Sequence, residues 1–331
     1  KELGFKIFGN INFWQYFDSK EYLINESDDD DYDMAVYDYR YVKSFEHLLF
    51  RKGYPNFNLD SINILVDRND WISPIWNKNY HYKVFNLILG CHTVKGFHYP
   101  PNYIPWVMGL SNRMIYSIDK TRSKIIHNDI GYNFRVWHNL RKLFLTEIKS
   151  CKSKFPVIKK LTKETNEKQL DEDFFYYKKT TKRHNLEYFK IINSNLLFLG
   201  IGGYVETLPK IYQPYNIVDK IRRKPNYLIN KFTRHQKQFV FQWDSFRMWE
   251  LFYANTCPIF LNFKKFNFLL PHYPIENEHY LSIDDYSWKS FSKKLTEISK
   301  AEIKQIGTNG KEWVMKNYSP KMISKYLLSL I

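Results

Sequence analysis

Cysteine is scarce in this chain. It holds three, Cys91, Cys151 and Cys257, and no two of them form a C-x-x-C pair. An odd, dispersed set argues against a disulfide framework or a cysteine zinc site and favours a reducing compartment. Long apolar runs are also missing: none reaches the roughly 18 residues of a membrane span. No signal-peptide pattern is visible, although the sequence begins at Lys1 rather than Met, so a removed anchor or a longer polypeptide stays open. The expected location is the cytoplasm, with contact at the cytoplasmic membrane face as an open alternative. Negative charge is short as well, 34 Asp and Glu against 50 Lys and Arg, and the net charge of +16 favours anionic partners. The basic segments 149–183 and 220–224 carry no nucleic-acid motif, and the lysines of the first are interspersed with acids. They read as solvated surface, and nucleic acid is not the expected partner.

What the chain does have is length and aromatic residues. Its 331 residues suit two domains, each with its own core. Residues 6–11, 61–67 and 82–89 read as strands in the first half, and the Pro-rich segment 96–105 reads as a loop or linker. A second block begins near residue 119, with a strand in "SKIIHND" and a helix over 133–149 that places Phe134, Trp137, Leu140 and Phe144 on one face. Residues 194–204 read as a buried strand ending in glycines, and residues 205–235 as basic and irregular. Residues 285–303 and the C-terminal stretch read as helices, the last two split near Pro320. Strands alternating with helices predict an α/β chain: residues 1–118 as one domain, and 119–331 as a second, facing it across a cleft.

The most informative stretch is "QWDSFRMWELFYANTCPIFLNF", residues 242–263. Asp244 or Ser245 can cap a helix beginning at Phe246. Phe246, Trp249, Phe252 and Tyr253 give it a wide apolar arc, while Arg247, Glu250 and Ala254 share one side. Asn255 can end it in the left-handed conformation, and Pro258 opens a strand. Spacing alone leaves two readings for Arg247 and Glu250, a solvated i, i+3 ion pair or a ligand-facing pair.

The pattern S-F-R-M-W-E-x3-A-N-T-C-P-I resembles the donor-site signature of GT-B glycosyltransferases, in particular the exostosin-like and lipopolysaccharide-type enzymes. "INSNLLFLGIGG" is similar to the strand that precedes that signature, and "NFRVWHNLRKLFLTEI" to an earlier helix bearing an R-K pair, here Arg141-Lys142. "NGKEWVMKNYSPKMISKYL" is similar to the terminal helices of these enzymes, which pack back across the cleft. The resemblance covers residues 120–331. It departs from the family in Asn255-Thr256, in "GIGGY" without its Pro, and in the long segment 204–243 between glycine loop and helix.

The resemblance implies a GT-B fold, two Rossmann-like domains facing across a cleft, and transfer of a sugar from a nucleotide-sugar to a hydroxyl of a glycan or lipid-linked acceptor. It implies that Gly202, Gly203, Arg141, Asp244, Ser245, Arg247 and Glu250 form the donor site. There Arg247 would pair with phosphate and Glu250 with the ribose hydroxyls, with no metal and no cofactor beyond the donor itself. Gly200, Arg135, and the rest of the glycine turn are weaker members of that set.

A catalytic base is sought in the loops after the first-half strands, which open into the ligand crevice of a parallel sheet. His92 and Asp67 are the candidates there, with Asp70 and His98 behind them. The acidic run 28–31 invites a metal-binding D-x-D motif, but no hydrophobic strand leads into it, and a solvated loop is the better reading. Two alternatives stand beside the transferase: a non-catalytic glycan-binding module on the same scaffold, and a basic nucleic-acid-binding protein with steeply salt-dependent affinity.

Overall fold

Two parallel sheets organise the chain. The structure, a computed structural model, describes residues 8–9, 25–26, 32–38, 60–68, 84–96, 99–134, 136, 138–151, 154–160, 186–207 and 238–331. The acidic run 28–31, Asp70, His98, Arg135, Trp137, the basic segment 220–224 and most of 149–183 fall outside those residues.

The first sheet is built in chain order from β3 (Met34–Asp38), β4 (Ile62–Asp67), β5 (Leu87–Gly90) and β6 (Tyr103–Pro105), all parallel. A separate two-stranded parallel pair joins β1 (Phe8–Gly9) to β2 (Asn25–Glu26). β4 was legible as a buried strand. β5 begins at Leu87, later than the expected 82–89; just before it, the Phe85 carbonyl accepts from the Asn102 side chain, the Asn86 carboxamide accepts from the Asn63 N–H, and the Asn86 N–H donates to the Asn63 carbonyl (2.9 Å). The Pro-rich segment is not all loop. It supplies β6, whose final Pro105 sits at the strand's end, where a missing N–H costs nothing.

The second sheet has strand order β13-β12-β9-β7-β8, again parallel: β7 (His127–Tyr132), β8 (Val157–Lys159), β9 (Asn195–Leu199), β12 (Cys257–Leu261) and β13 (Leu281–Ile283). Helices α1 (Asn112–Lys120), α2 (Asn139–Ser150), α3 (Leu186–Ser194), α4 (Phe246–Tyr253), α5 (Trp288–Thr296), α6 (Lys300–Tyr318) and α7 (Pro320–Leu328) accompany it. The expected helix over 133–149 starts only at Asn139. Phe134 is still buried, but from the loop before the helix. β8 and α3 were not anticipated, because β8 is a short edge strand of mostly exposed residues and α3 runs without a break into β9. An antiparallel ribbon of β10 (Tyr204–Thr207) and β11 (Gln238–Phe241) leads from β9 to α4.

The core of the second sheet is one contiguous aromatic and aliphatic cluster that includes Trp249, Phe252, Phe198, Phe263 and Trp288, and that takes in Met114 and Ile118 of α1. Helix α6 lies close on the start of β12 and on the loop before β13 because Gly307 and Gly310 have no side chains; a Cβ on Gly307 would fall 3.0 Å from the Thr256 carbonyl oxygen, and one on Gly310 2.3 Å from the His279 carbonyl oxygen. Ser299 and Glu302 close a capping box at the start of α6, and Pro320 opens α7 at its first helical position.

The two sheets are joined directly. The Val94 and Phe268 backbones form a bridge, the Leu269 N–H donates to the Thr93 carbonyl (2.9 Å), and the Lys95 N–H donates to the Asn267 carbonyl (2.7 Å). Helix α7 returns to the first sheet. Its Ile323, Tyr326 and Leu327 pack against Ile64, Leu87, Leu89 and Trp106, and Tyr326 stacks on Trp106.

Candidate functional site

The order of the second sheet defines where a ligand can enter. From β7 the chain moves to one side, to β8, and then crosses back to β9 on the other side of β7. Connections that diverge in this way leave a crevice at the carboxyl ends of the two central strands. Three segments converge on it: the first turn of α2 after β7, the glycine loop after β9, and α4.

Arg141 spans the crevice. It lies in the first turn of α2, and its Nε donates to the Ile201 carbonyl oxygen at 2.9 Å, in the loop after β9. Its guanidinium lies 5.1 Å from the Phe134 ring centre. Burial, and then the positive charge of Arg247, push its pKa down to about 10. The positive charges of Arg141 and Arg247 repel each other, and an anion bound beside both would relieve that repulsion.

Arg247 and Glu250 are on the same face of α4, as their spacing requires. The solvated ion pair does not form: Glu250 is only 4% exposed. Burial raises its carboxyl to about 7, against the opposing pull of Arg247 and of the Tyr188 hydroxyl. Arg247 is half-buried, and its Nε, itself shielded from solvent, has no hydrogen-bond acceptor among the described residues. The guanidinium lies 6.0 Å from the ring centre of Tyr188 on α3.

The helix entrance is uncapped. Ser245 occupies the N-cap position with extended backbone, but its side chain makes no capping bond. The first turn of α4 therefore lacks the usual side-chain acceptor; its Met248 N–H donates to the Ser245 carbonyl (2.9 Å), and the positive end of the helix dipole lies at this entrance. Asp244 does not serve there. It is 1% exposed, its Oδ2 accepts from the Met108 N–H (2.8 Å), and its Oδ1 accepts from the Trp249 indole (2.7 Å). Burial raises its pKa, against the effects of His92 and these two donors. Its carboxylate ties the segment after β6 to α4.

Gly202 and Gly203 have an internal reason to be glycine. A Cβ on Gly202 would lie 3.2 Å from the Gln242 carbonyl oxygen, and one on Gly203, whose φ is +106°, would lie 2.3 Å from the Phe241 carbonyl oxygen. The loop is pressed onto the end of β11, which brings it beside the entrance to α4. Asn255 does not end the helix as expected. Its φ is not positive; the turn is made at Ala254, in extended conformation, and the Asn255 N–H is held by the Asn193 carboxamide oxygen.

His92 and Asp67 follow β5 and end β4, where sequence reasoning put them, but both are buried. His92 Nδ1 accepts from the Asp244 N–H at 3.2 Å, across the junction of the two sheets. Asp67 Oδ2 accepts from the Tyr103 hydroxyl at 3.4 Å, and burial followed by this carboxylate raises the Tyr103 pKa. The structure therefore assembles Arg141, Arg247, Glu250, Ser245 and the glycine loop, sets His92 and Asp244 into the packing between the sheets, and buries Asp67 within the first sheet.

Tyr188 was missed. In "NLEYFKII" it reads as one more apolar residue of an amphipathic helix, and only the fold brings it to Glu250 and Arg247. Among the described residues no group of three His, Cys, Asp or Glu side chains could hold a metal ion, and no helix is long and apolar enough to cross a membrane. Neither a protein-family model nor a curated protein matches the chain.

Proposed function

We propose that this chain is a metal-independent glycosyltransferase of GT-B type that binds a nucleotide-sugar at the crevice between β7 and β9. The observation that carries this reading is the convergence of Arg141, Arg247 and Glu250 with an uncapped helix entrance at the switch point of a parallel sheet. In this reading the guanidinium groups and the α4 N–H groups hold the diphosphate, and the Glu250 carboxylate accepts from the ribose hydroxyls. The acceptor, a glycan or lipid-linked hydroxyl, would come from the side of the first sheet.

The chemistry then follows. The acceptor oxygen bonds to the anomeric carbon as the bond from that carbon to the diphosphate oxygen breaks, its electron pair leaving with the phosphate. The hydroxyl proton passes to a base or to the departing phosphate. Negative charge grows on the diphosphate, so two fixed guanidinium groups stabilise the transition state more than the ground state. The burial of His92 and Asp67 favours a second reading, a module that binds glycan on this scaffold without transferring sugar.

A thermal-shift and calorimetric series with UDP, GDP, CMP and dTDP tests the proposal. One nucleoside diphosphate should bind selectively, and at a hundred times its Kd should add about 2.7 kcal/mol of stability. Arg247→Ala should weaken that binding about tenfold to a hundredfold, the loss expected for a charged hydrogen bond to phosphate. If no nucleotide raises the melting temperature, the donor site is misassigned. If a nucleotide binds but no sugar is transferred or hydrolysed from its donor, the binding module is the correct reading.

A further inference from the structure

A small apolar pocket opens beside the crevice. It lies between the glycine loop and α4, holds about 250 Å³ with its mouth included, and is walled by Met248, Trp243, Leu261, Phe263 and Phe268. Ile201 belongs to both sites: it lines the pocket, and its carbonyl oxygen accepts from Arg141. The walls are buried and well packed. Trp243 stacks on Phe268 with ring centres 4.7 Å apart and meets Phe263 edge-on at 6.1 Å. The indole N–H is the side-chain N–H of these walls, and it is already used, donating to the Thr93 carbonyl oxygen at 3.2 Å. Among the described residues, the side chains of this pocket therefore offer a guest carbon and sulfur, with no free hydrogen-bonding group. The inner space is about that of one water or methyl group. Such a space suits a methyl group better than water, which needs two or more polar partners.

The pocket and Glu250 lie on different sides of α4. Successive residues turn about 100° round a helix, so Met248 stands about 160° from Glu250. The Arg247 side lies against Tyr188 of α3. The Met248 side looks toward the junction of the sheets, where Phe268 bridges to Val94. A nucleotide-sugar runs in the order nucleoside, diphosphate, sugar. With the nucleoside at Glu250 and the diphosphate at Arg247 and the helix entrance, the sugar falls on the pocket side, toward the first sheet. We infer that this pocket selects the donor's sugar, a 6-deoxyhexose whose methyl group seats against Met248, Phe263 and Phe268. The inference rests on the nucleotide-sugar reading above and adds the class of sugar to it. An ordinary hexose would bring its C6 hydroxyl to these walls, strip it of water and give it no side chain to bond. Apolar pockets reject an added hydroxyl by about tenfold to a hundredfold, which sets the size of the effect.

Donor pairs that differ only at C6 test this. They are dTDP-glucose against dTDP-6-deoxyglucose, GDP-mannose against GDP-6-deoxymannose, and UDP-galactose against UDP-6-deoxygalactose, each titrated by calorimetry beside the free nucleoside diphosphate. In the pair whose nucleotide binds, the 6-deoxy donor should bind about tenfold to a hundredfold more tightly. Protein labelled with carbon-13 at its methionine methyl groups should show a nuclear Overhauser effect between the sugar methyl and Met248. Met248→Gln sets an amide in the pocket wall and should cut the preference to less than about threefold. The readout is a ratio for two donors, so a general loss of affinity or of folded protein cancels. If that variant does not fold, the Overhauser contact decides alone. Binding of a nucleoside diphosphate with both donors of its pair within about twofold, or with the hydroxyl donor tighter, overturns the inference and leaves the nucleotide-sugar reading standing. A preference that Met248→Gln leaves intact, or the lack of any contact to Met248, puts the methyl group elsewhere and overturns it too. If no nucleotide and no donor binds, the donor reading itself fails, and the inference falls with it.

Discussion

The two sheets treat their buried polar groups differently. At the first sheet and its junction, several such groups are tied into the protein: Asn63 bonds to Tyr37 and to the Ser61 carbonyl, Thr93 to the Gly90 carbonyl, and the Asp244 carboxylate to Met108 and Trp249. At the carboxyl edge of the second sheet, the Tyr188 hydroxyl and Arg247 Nε are buried without such partners, and Glu250 is buried with its carboxyl raised to about 7. Saturated polar networks specify a structure, whereas unsaturated ones destabilise it unless something completes them. Under the proposed reading, the difference separates residues that hold the fold from residues kept for a ligand, and it places Asp67, bonded to the Tyr103 hydroxyl, in the first group.

Three variants test that contrast, taken here from the largest expected effect. Trp249→Ala empties a fully buried site in the second core and removes the donor to Asp244 Oδ1. Its cost should be about 3–5 kcal/mol by urea unfolding. A loss under about 1 kcal/mol would show that this core does not dominate stability.

Glu250→Gln should have the opposite sign. A carboxyl whose folded pKa lies near 7, above its ordinary 4.5, contributes stability that is fully present below about pH 4.5 and lost as pH rises through 7. The variant should match the parent near pH 4 and exceed it at pH 8 by up to about 3 kcal/mol. Unfolding curves at both pH values check this, and equal stabilities at pH 8 would mean that Glu250 is already satisfied in the folded chain.

Ile64→Val, in the smaller core of the first sheet, should cost about 0.5–1.5 kcal/mol and leave nucleotide affinity unchanged. A change in affinity would show that the first sheet couples to the crevice more tightly than its saturated contacts suggest.

Much of the second sheet was legible in the sequence. Helix α4 begins at Phe246 as expected, because an extended Ser245 precedes a clear apolar arc, and β12 follows because "CPIFL" is a short apolar run after a turn. The split of the last helices at Pro320 was legible from proline's missing N–H. β6 and β8 were not, since each is three residues long and shows no alternation. The start of α2 was placed too early because Phe134 and Phe144 are both buried, but only the second is helical.

The sequence by itself determined the parallel α/β character, the side of α4 on which Arg247 and Glu250 stand, and the proximity of a glycine loop, because these follow from periodicity and chain order. Tertiary structure alone decided that Glu250 is buried rather than solvated, that Asp244 turns away toward Met108, and that Tyr188 faces the pair. The physical reason is that burial and the loss of a hydrogen-bond partner arise between elements distant along the chain, and no local spacing encodes the packing angle of α3 on α4.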